Sequence, residues 1–176
     1  SGETNSMFAS GAWNDLDAMF QEIHDSGMYQ KEIAGEFACA RRSWEGFETA
    51  EIKWSSWRLR APIDVVEAAI ADHEFLRLTM INAPGDCVIA GLEDDCKKAL
   101  TKLKDYQSIP LGHDIIAHAP EMKAWESEWY KIHHRKTVKP VGLRFYSNAF
   151  AGQYEASAEN IAKALTNQAT DRVDFR

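Results

Sequence analysis

The sequence predicts an α/β protein that carries a small inserted α+β subdomain. Two observations point there. Stretches with helix and strand patterning alternate along all 176 residues, without a low-complexity linker or an internal repeat. In the middle of the chain the order becomes strand, strand, helix, strand, as an α+β insert requires. A chain of this length fits one domain, or one domain with a small insert, and can bury a real core.

The elements follow in order. After Asn14, an N-cap candidate, Leu16, Met19, Phe20 and Ile23 recur at i, i+3, i+4 and i+7, which marks an amphipathic helix. "EFACARRSW" and "IKWSSWRLR" are short stretches rich in aromatic or apolar residues and read as strands or a loose hairpin. "IDVVEAAIADHEF" follows Pro62 and reads as helix. "RLTMINA" and "DCVIAGL" flank the turn signal "PGD" and are expected to be neighbouring strands. "EDDCKKALTKLK" places acids in a first turn and lysines later, as the helix dipole favours, with Cys96, Leu100 and Leu103 on the buried face. "IPLGHDIIA" reads as a strand, and Pro120 suits the first turn of a helix whose apolar stripe is Met122, Trp125, Trp129 and Ile132. "LRFYSN" is a further strand, "SAENIAKALTNQ" a helix and "RVDF" a last short strand.

Composition narrows the function classes. The apolar fraction of 45% and charged fraction of 27% are those of an ordinary globular protein. A net charge of −7 argues against a broad nucleic-acid-binding surface. No apolar run approaches a membrane span, and no signal-peptide pattern opens the chain. Cys39, Cys87 and Cys96 are odd in number and far apart, which suits reduced thiols in a cytoplasmic protein better than a disulfide framework.

Several residues invite chemistry. The adjacent histidines of "HHRK" at 133–136 point about 100° apart on a helix and to opposite faces of a strand, so a solvated basic cluster is expected there rather than a metal site. His113 and His118, five apart, fit neither helix nor strand geometry for a shared metal. Lysines 97, 98, 102 and 104 are a wetted helix face or a surface for an acidic partner. Of the tryptophans, Trp125 and Trp129 belong to a core stripe, and Trp44, Trp54 and Trp57 are open. The octapeptide "IIAHAPEM" at 115–122 holds His118 after an apolar run and before a proline. Alone it is compatible with a catalytic base and with a polar residue closing a strand. "SGE" at the start matches the last two positions of a G-x-S-x-G nucleophile elbow, the tight strand-to-helix turn of hydrolase-like folds. On that register the nucleophile is the residue just before Ser1.

Taken in series, these motifs resemble the malonyl-CoA:acyl-carrier-protein transacylase family, the acyltransferase domains of fatty-acid and polyketide synthases. "SGETNSMFASG" is similar to the end of the family's elbow, "GEFACA" and "MINAPGDCVIAG" to its small subdomain, and "IIAHAPEM" to the strand that ends in its catalytic histidine. "YSNAFAG" and "NQATDRVDF" match the close of the pattern, and "NAPGDCVIAG" is similar to acyltransferases of polyunsaturated-fatty-acid synthases.

The resemblance implies an α/β-hydrolase-like acyltransferase core, incomplete at its N-terminus, with an inserted ferredoxin-like α+β subdomain. Residues 1–34 and 118–176 would belong to the core, and 35–117 to the small subdomain and its approach. The implied activity is transfer of an acyl group from coenzyme A to an acyl carrier protein through an acyl-serine. The rival readings are a degenerate carrier-docking module and a serine thioesterase. No cofactor is implied beyond the phosphopantetheine carried by the substrates, and the expected partners are acyl-CoA, an acyl carrier protein and other domains of a megasynthase, with no nucleic acid or membrane. By resemblance His118 is the general base, the main chain of Gln168 orients its ring, and the Ser1 amide donates to the oxyanion. Ile115, Ile116 and Ala117 would contact the acyl group, and Lys98 and Lys102 the carrier. One departure is notable. Malonyl-type members place an arginine late in the helix after the elbow, where "QEIHDSGMYQ" stands here, so an acyl group without a free carboxylate is expected unless Arg41 or Arg42 folds back.

Overall fold

A computed structural model describes residues 2–176. The chain opens with α1 (Gly2–Ala9) and α2 (Leu16–Asp25), then a π-helical turn, Met28–Glu32, and α3 (Ala38–Ser43). A β–α–β–β–α–β run follows: β1 (Trp54–Arg60), α4 (Ile63–Ile70), β2 (Leu76–Ala83), β3 (Asp86–Leu92), α5 (Glu93–Lys102) and β4 (Gln107–Pro110). A 3-10 segment, Pro120–Trp125, leads directly into α6 (Glu126–His133). The chain closes with the hairpin of β5 (Phe145–Ser147) and β6 (Gly152–Tyr154), then α7 (Ala158–Thr170) and β7 (Val173–Asp174).

The main sheet has the order β4-β1-β3-β2-β7. β1, β2, β3 and β4 pair antiparallel, and β7 adds in parallel at the edge of β2. One face of this sheet packs on α4 and α5, burying Leu59, Val66, Ile81, Ile89, Cys96 and Leu103 in a core of their own. A second core lies among the remaining helices, around Met7, Trp13, Met28, Ile116, Ile161 and Leu165. An aromatic group joins the two parts: Trp44 stacks on Trp54 at 5.9 Å and meets Phe75 at 4.9 Å. Trp44 and Trp54 are therefore packing residues, and the half-buried Trp57 donates from Nε1 to Ser55 Oγ at 2.8 Å.

Four expectations need correction. "EFACARRSW" forms α3 and not a strand, because Gly35 (φ 64°) and Phe37 (φ 52°) turn the chain and Ala-Cys-Ala-Arg-Arg holds no β-branched residue. "IPLGHDIIA" keeps strand pairing only through Pro110; Gly112 (φ 67°) then takes the chain out of the sheet. α2 begins after Asp15 rather than Asn14, and Leu16 and Phe20 on it are 43% and 61% exposed. "HHRK" is only half solvated, with His134 and Lys136 exposed. His133 and Arg135 are buried, and Arg135 grips Asp15 through Nε at 3.0 and 3.1 Å and also binds Glu22, tying the end of α6 to α2.

Candidate active site

The segment that carries His118 is held on both sides. Ile116 N–H donates to the Ile33 carbonyl at 2.7 Å, and Ala119 N–H to that of Ala169 at 3.2 Å. Between them His118 takes φ 56°, a left-handed conformation that costs a non-glycine residue about 1–2 kcal/mol. Its Nδ1 lies 2.5 Å from the main-chain oxygen of Gln168. A carbonyl only accepts, so Nδ1 carries the proton and Nε2 is the basic nitrogen. The availability of that carbonyl follows from the helix end. α7 stops at Thr170, leaving the Gln168 and Ala169 oxygens without intrahelical partners, and His118 and Ala119 take them. Burial lowers the His118 pKa, and the Gln168 contact opposes that shift only in part.

His118 and Pro120 line a cavity of about 330 Å3, to which α4 adds the apolar Ile70 and β2 the apolar Leu76 and Leu78. Arg77 and Arg172 also border it, each tied to a carboxylate. Arg77 pairs at 2.8 Å with Glu121, a buried residue that accepts from Trp44 Nε1 at 2.9 Å. Arg172 pairs with Glu67 at 3.0 Å.

A second network begins two residues past Ser1. The Glu3 carboxylate accepts from Tyr154 Oη at 2.8 Å, from the side-chain amide of Gln168 at 3.2 Å and, at the limit of a hydrogen bond, from Ser147 Oγ at 3.5 Å. Burial raises its pKa, and the Tyr154 and Ser147 contacts counter this.

The structure brings His118 and Gln168 together. Ser1 lies outside the described residues. Ile116 is fully buried in the helical core, Ile115 and Ala117 are half-buried, and none of the three lines the cavity beside His118. Lys98 and Lys102 stand on α5 and do not line that cavity. Lys98 pairs with Asp95 at 3.1 Å, and Lys102 lies 3.8 Å from Asp72 and 3.1 Å from the Ala69 carbonyl. Arg42 is bound to Glu32 at 2.5 Å, and with Arg41 it lines a different recess. Sequence reasoning passed over Glu3, Arg77, Glu121 and the apolar trio; the only local signal among them is the Glu of "SGE".

Known proteins share this architecture. The malonyl-CoA:acyl carrier protein transacylase of Helicobacter pylori superposes with a TM-score of 0.75 over 99% of this chain and 52% of its own, at 18% identity. The fold is that of the malonyl-CoA:acyl-carrier-protein transacylases. Within that acyltransferase fold, the acyl carrier protein S-malonyltransferase of Vibrio cholerae matches 69% of this chain and 42% of its own (TM-score 0.59, 21% identity). A malonyl-transacylase solved in complex with a type II polyketide synthase acyl-carrier protein matches 78% and 45% (TM-score 0.62, 18% identity). In sequence, the chain is 24% identical over 190 residues to a polyunsaturated fatty acid synthase polypeptide of Thraustochytrium sp., covering 99% of this chain and 9% of that polypeptide. The chain thus spans about half the length of the Helicobacter transacylase and a small part of the synthase polypeptide. No protein-family model matches it. Among the described residues, no helix of this acyltransferase fold is long and apolar enough to cross a membrane.

Proposed function

We propose that this chain belongs to an acyltransferase domain that moves an acyl group from coenzyme A to an acyl carrier protein, within a polyketide or polyunsaturated-fatty-acid synthase. One observation carries the reading: the Nδ1–H of a strained, half-buried histidine is fixed on a helix-end carbonyl, and the same ring borders an apolar cavity. That fixes the tautomer a general base needs. His118 Nε2 would take the proton of the elbow serine as its oxygen attacks the thioester carbon. It would return that proton to the coenzyme A sulfur as the carbon–sulfur bond breaks. The carrier thiol then gives its proton to His118, attacks the acyl-serine and leaves the serine protonated. The Ser1 amide is assigned to the oxyanion on the resemblance alone.

The β–α–β–β–α–β unit with strand order 4-1-3-2 supports a ferredoxin-like small subdomain spanning 35–117, set between core segments 1–34 and 118–176. Its strand β2 supplies Leu76 and Leu78 to the cavity, so these two and Ile70 are assigned to the acyl chain in place of Ile115, Ile116 and Ala117, which do not line it. Both bordering arginines are already bound to carboxylates, which favours an acyl group without a free carboxylate. A dicarboxylic one would have to displace Glu67 or Glu121. Lys98 and Lys102 are assigned to the carrier. The buried, unpaired thiols of Cys39, Cys87 and Cys96 suit a reducing cytoplasm.

The test is acyl-enzyme mass spectrometry on the full-length protein with malonyl-CoA competing against acetyl- and longer acyl-CoA. We expect an acyl adduct, loss of its formation by about three orders of magnitude in His118→Ala, and preference for the uncharged acyl group by as much as about a hundredfold. An adduct formed as fast in His118→Ala would remove this histidine from the chemistry. Predominant malonylation would reverse the acyl assignment, and release to water faster than to carrier thiol would make the domain a thioesterase.

A further inference from the structure

We propose that Glu3 is a positioning residue that holds the first turn of α1 and the His118–Gln168 pair in one geometry; this rests on the reading of His118 as the base. The observation is topological. Gln168 makes two contacts with different parts of the site: its main-chain oxygen receives His118 Nδ1–H at 2.5 Å, and its side-chain amide donates to Glu3 at 3.2 Å. Glu3 stands on the first turn of α1, immediately after the residues that match the nucleophile elbow. The same carboxylate is held from the β5–β6 hairpin by Tyr154 Oη at 2.8 Å and by the longer contact from Ser147. The β5–β6 hairpin and α7, at sequence separations of 144 to 165 residues, therefore converge on one side chain of α1, and the helix turn that follows the elbow motif and the carbonyl that orients the base share a single link.

The amide assignment at Gln168 follows from the partner, since an ionised carboxylate only accepts. Glu3 also sits where the α1 dipole favours an anion. The hydrogen bonds and the dipole favour its charged form, whereas desolvation opposes it. A residue that only packed the helix would not need to address the side chain of the one residue whose carbonyl meets His118. Misplacement of about 1 Å between a nucleophile and its base is enough to cost about a hundredfold in rate.

The test compares Glu3→Ala, Glu3→Gln and Gln168→Ala with the parent. His118 titration is followed by imidazole NMR, and self-acylation from acyl-CoA is measured in the full-length protein. Loosening Gln168 weakens the bond that raises the His118 pKa, so the pKa should fall further in Glu3→Ala. The acid limb of the rate profile should move to lower pH with it, while the acylation rate falls about ten- to a hundredfold and KM for acyl-CoA holds. Gln168→Ala keeps the main-chain carbonyl, and it should show the same signature without adding to that of Glu3→Ala. Glu3→Gln should recover most of the parent titration, because an amide still accepts from Tyr154 and Gln168 can reverse its own amide. If Glu3→Ala fails to fold, Tyr154→Phe removes the shortest contact and is read the same way. A His118 titration unchanged in these variants overturns the proposal, whether the rate falls or not. The titration needs no turnover, so a parent protein that never acylates would sink the acyltransferase reading and still leave the Glu3 link decided.

Discussion

His118 and His133 each place Nδ1 against a main-chain carbonyl, at 2.5 Å from Gln168 and 2.7 Å from Trp129, and burial lowers the pKa of both. Their surroundings separate them. His118 borders a cavity, whereas His133 is 2% exposed, stacks on Trp129 at 4.6 Å and lies 6.3 Å from Trp13. Its pKa is pushed down to about 4 from the ordinary 6.5, first by desolvation and then by the charge of Arg135, against the pull of the Trp129 carbonyl. The sign follows from proton counting. Between those two values the unfolded chain binds a proton at this residue that the folded chain refuses, so stability present above pH 6.5 is lost as the pH falls toward 4. The full loss is roughly 3 kcal/mol. Urea unfolding at pH 7 and pH 4.5 should show this slope. His133→Asn, which keeps a nitrogen near the Trp129 carbonyl and cannot charge, should show a clearly shallower slope, with the share of His118 remaining. An equal slope in both proteins would mean that another group drives the acid sensitivity.

Among the elements, the β2–β3 hairpin matters most for the cavity because β2 carries Leu76, Arg77 and Leu78. Its open end is closed by backbone approach at Gly91. A Cβ there would sit 2.0 Å from the Phe75 carbonyl oxygen and 2.8 Å from Leu76 Cα, both main-chain atoms without freedom to retreat. The same carbonyl accepts Leu92 N–H at 2.9 Å, so moving it breaks a ladder bond as well. Gly91→Ala should therefore destabilise the protein by about 2 kcal/mol or more, seen as a lower urea midpoint at constant m. Acylation should weaken with it, since Leu76 moves. A midpoint within error of the parent would show that the hairpin has slack that its backbone contacts conceal.

For the whole molecule, the proposed carrier-facing role of α5 has to be weighed against a net charge of −7. α5 offers cations, but they are interleaved with acids: Lys97 pairs with Glu93 at 3.0 Å, and Lys98 and Lys102 face Asp95 and Asp72. The field at that surface is accordingly weaker than the lysine count of "KKALTKLK" suggests. Reversing Lys98 and Lys102 together to Glu should raise the carrier KM by about two- to fivefold at low salt. The effect should fade as ionic strength shortens the Debye length, and transfer to a small thiol should not change. Carrier kinetics identical to those of the parent at low salt would return both lysines to an ordinary solvated face.

Much of this protein was legible because local pattern and local structure share a period. The helices of 63–70, 93–102 and 158–170 and the strands flanking Pro84-Gly85 follow from apolar spacing, and the order of motifs around "IIAHAPEM" singles out His118. What lay beyond that reach depends on contacts between residues far apart in the chain. Nothing near "HHRK" announces that Asp15 and Glu22, more than a hundred positions upstream, will neutralise Arg135. Nor does α2 show that Leu16 and Phe20 stay exposed while Met19 is buried. The apolar run before His118 suggests an acyl pocket, yet Ile116 is consumed by the core, and Ile70, Leu76 and Leu78 reach the cavity from elements some forty residues earlier. Glu3 is the sharpest case, a charged residue in an ordinary first turn until the β5–β6 hairpin and the end of α7 close on it. Helix and strand periodicity is set by neighbours three and four or two apart. Burial, charge pairing and the lining of a cavity are set by which surfaces meet when the chain closes, and only the folded structure decides that.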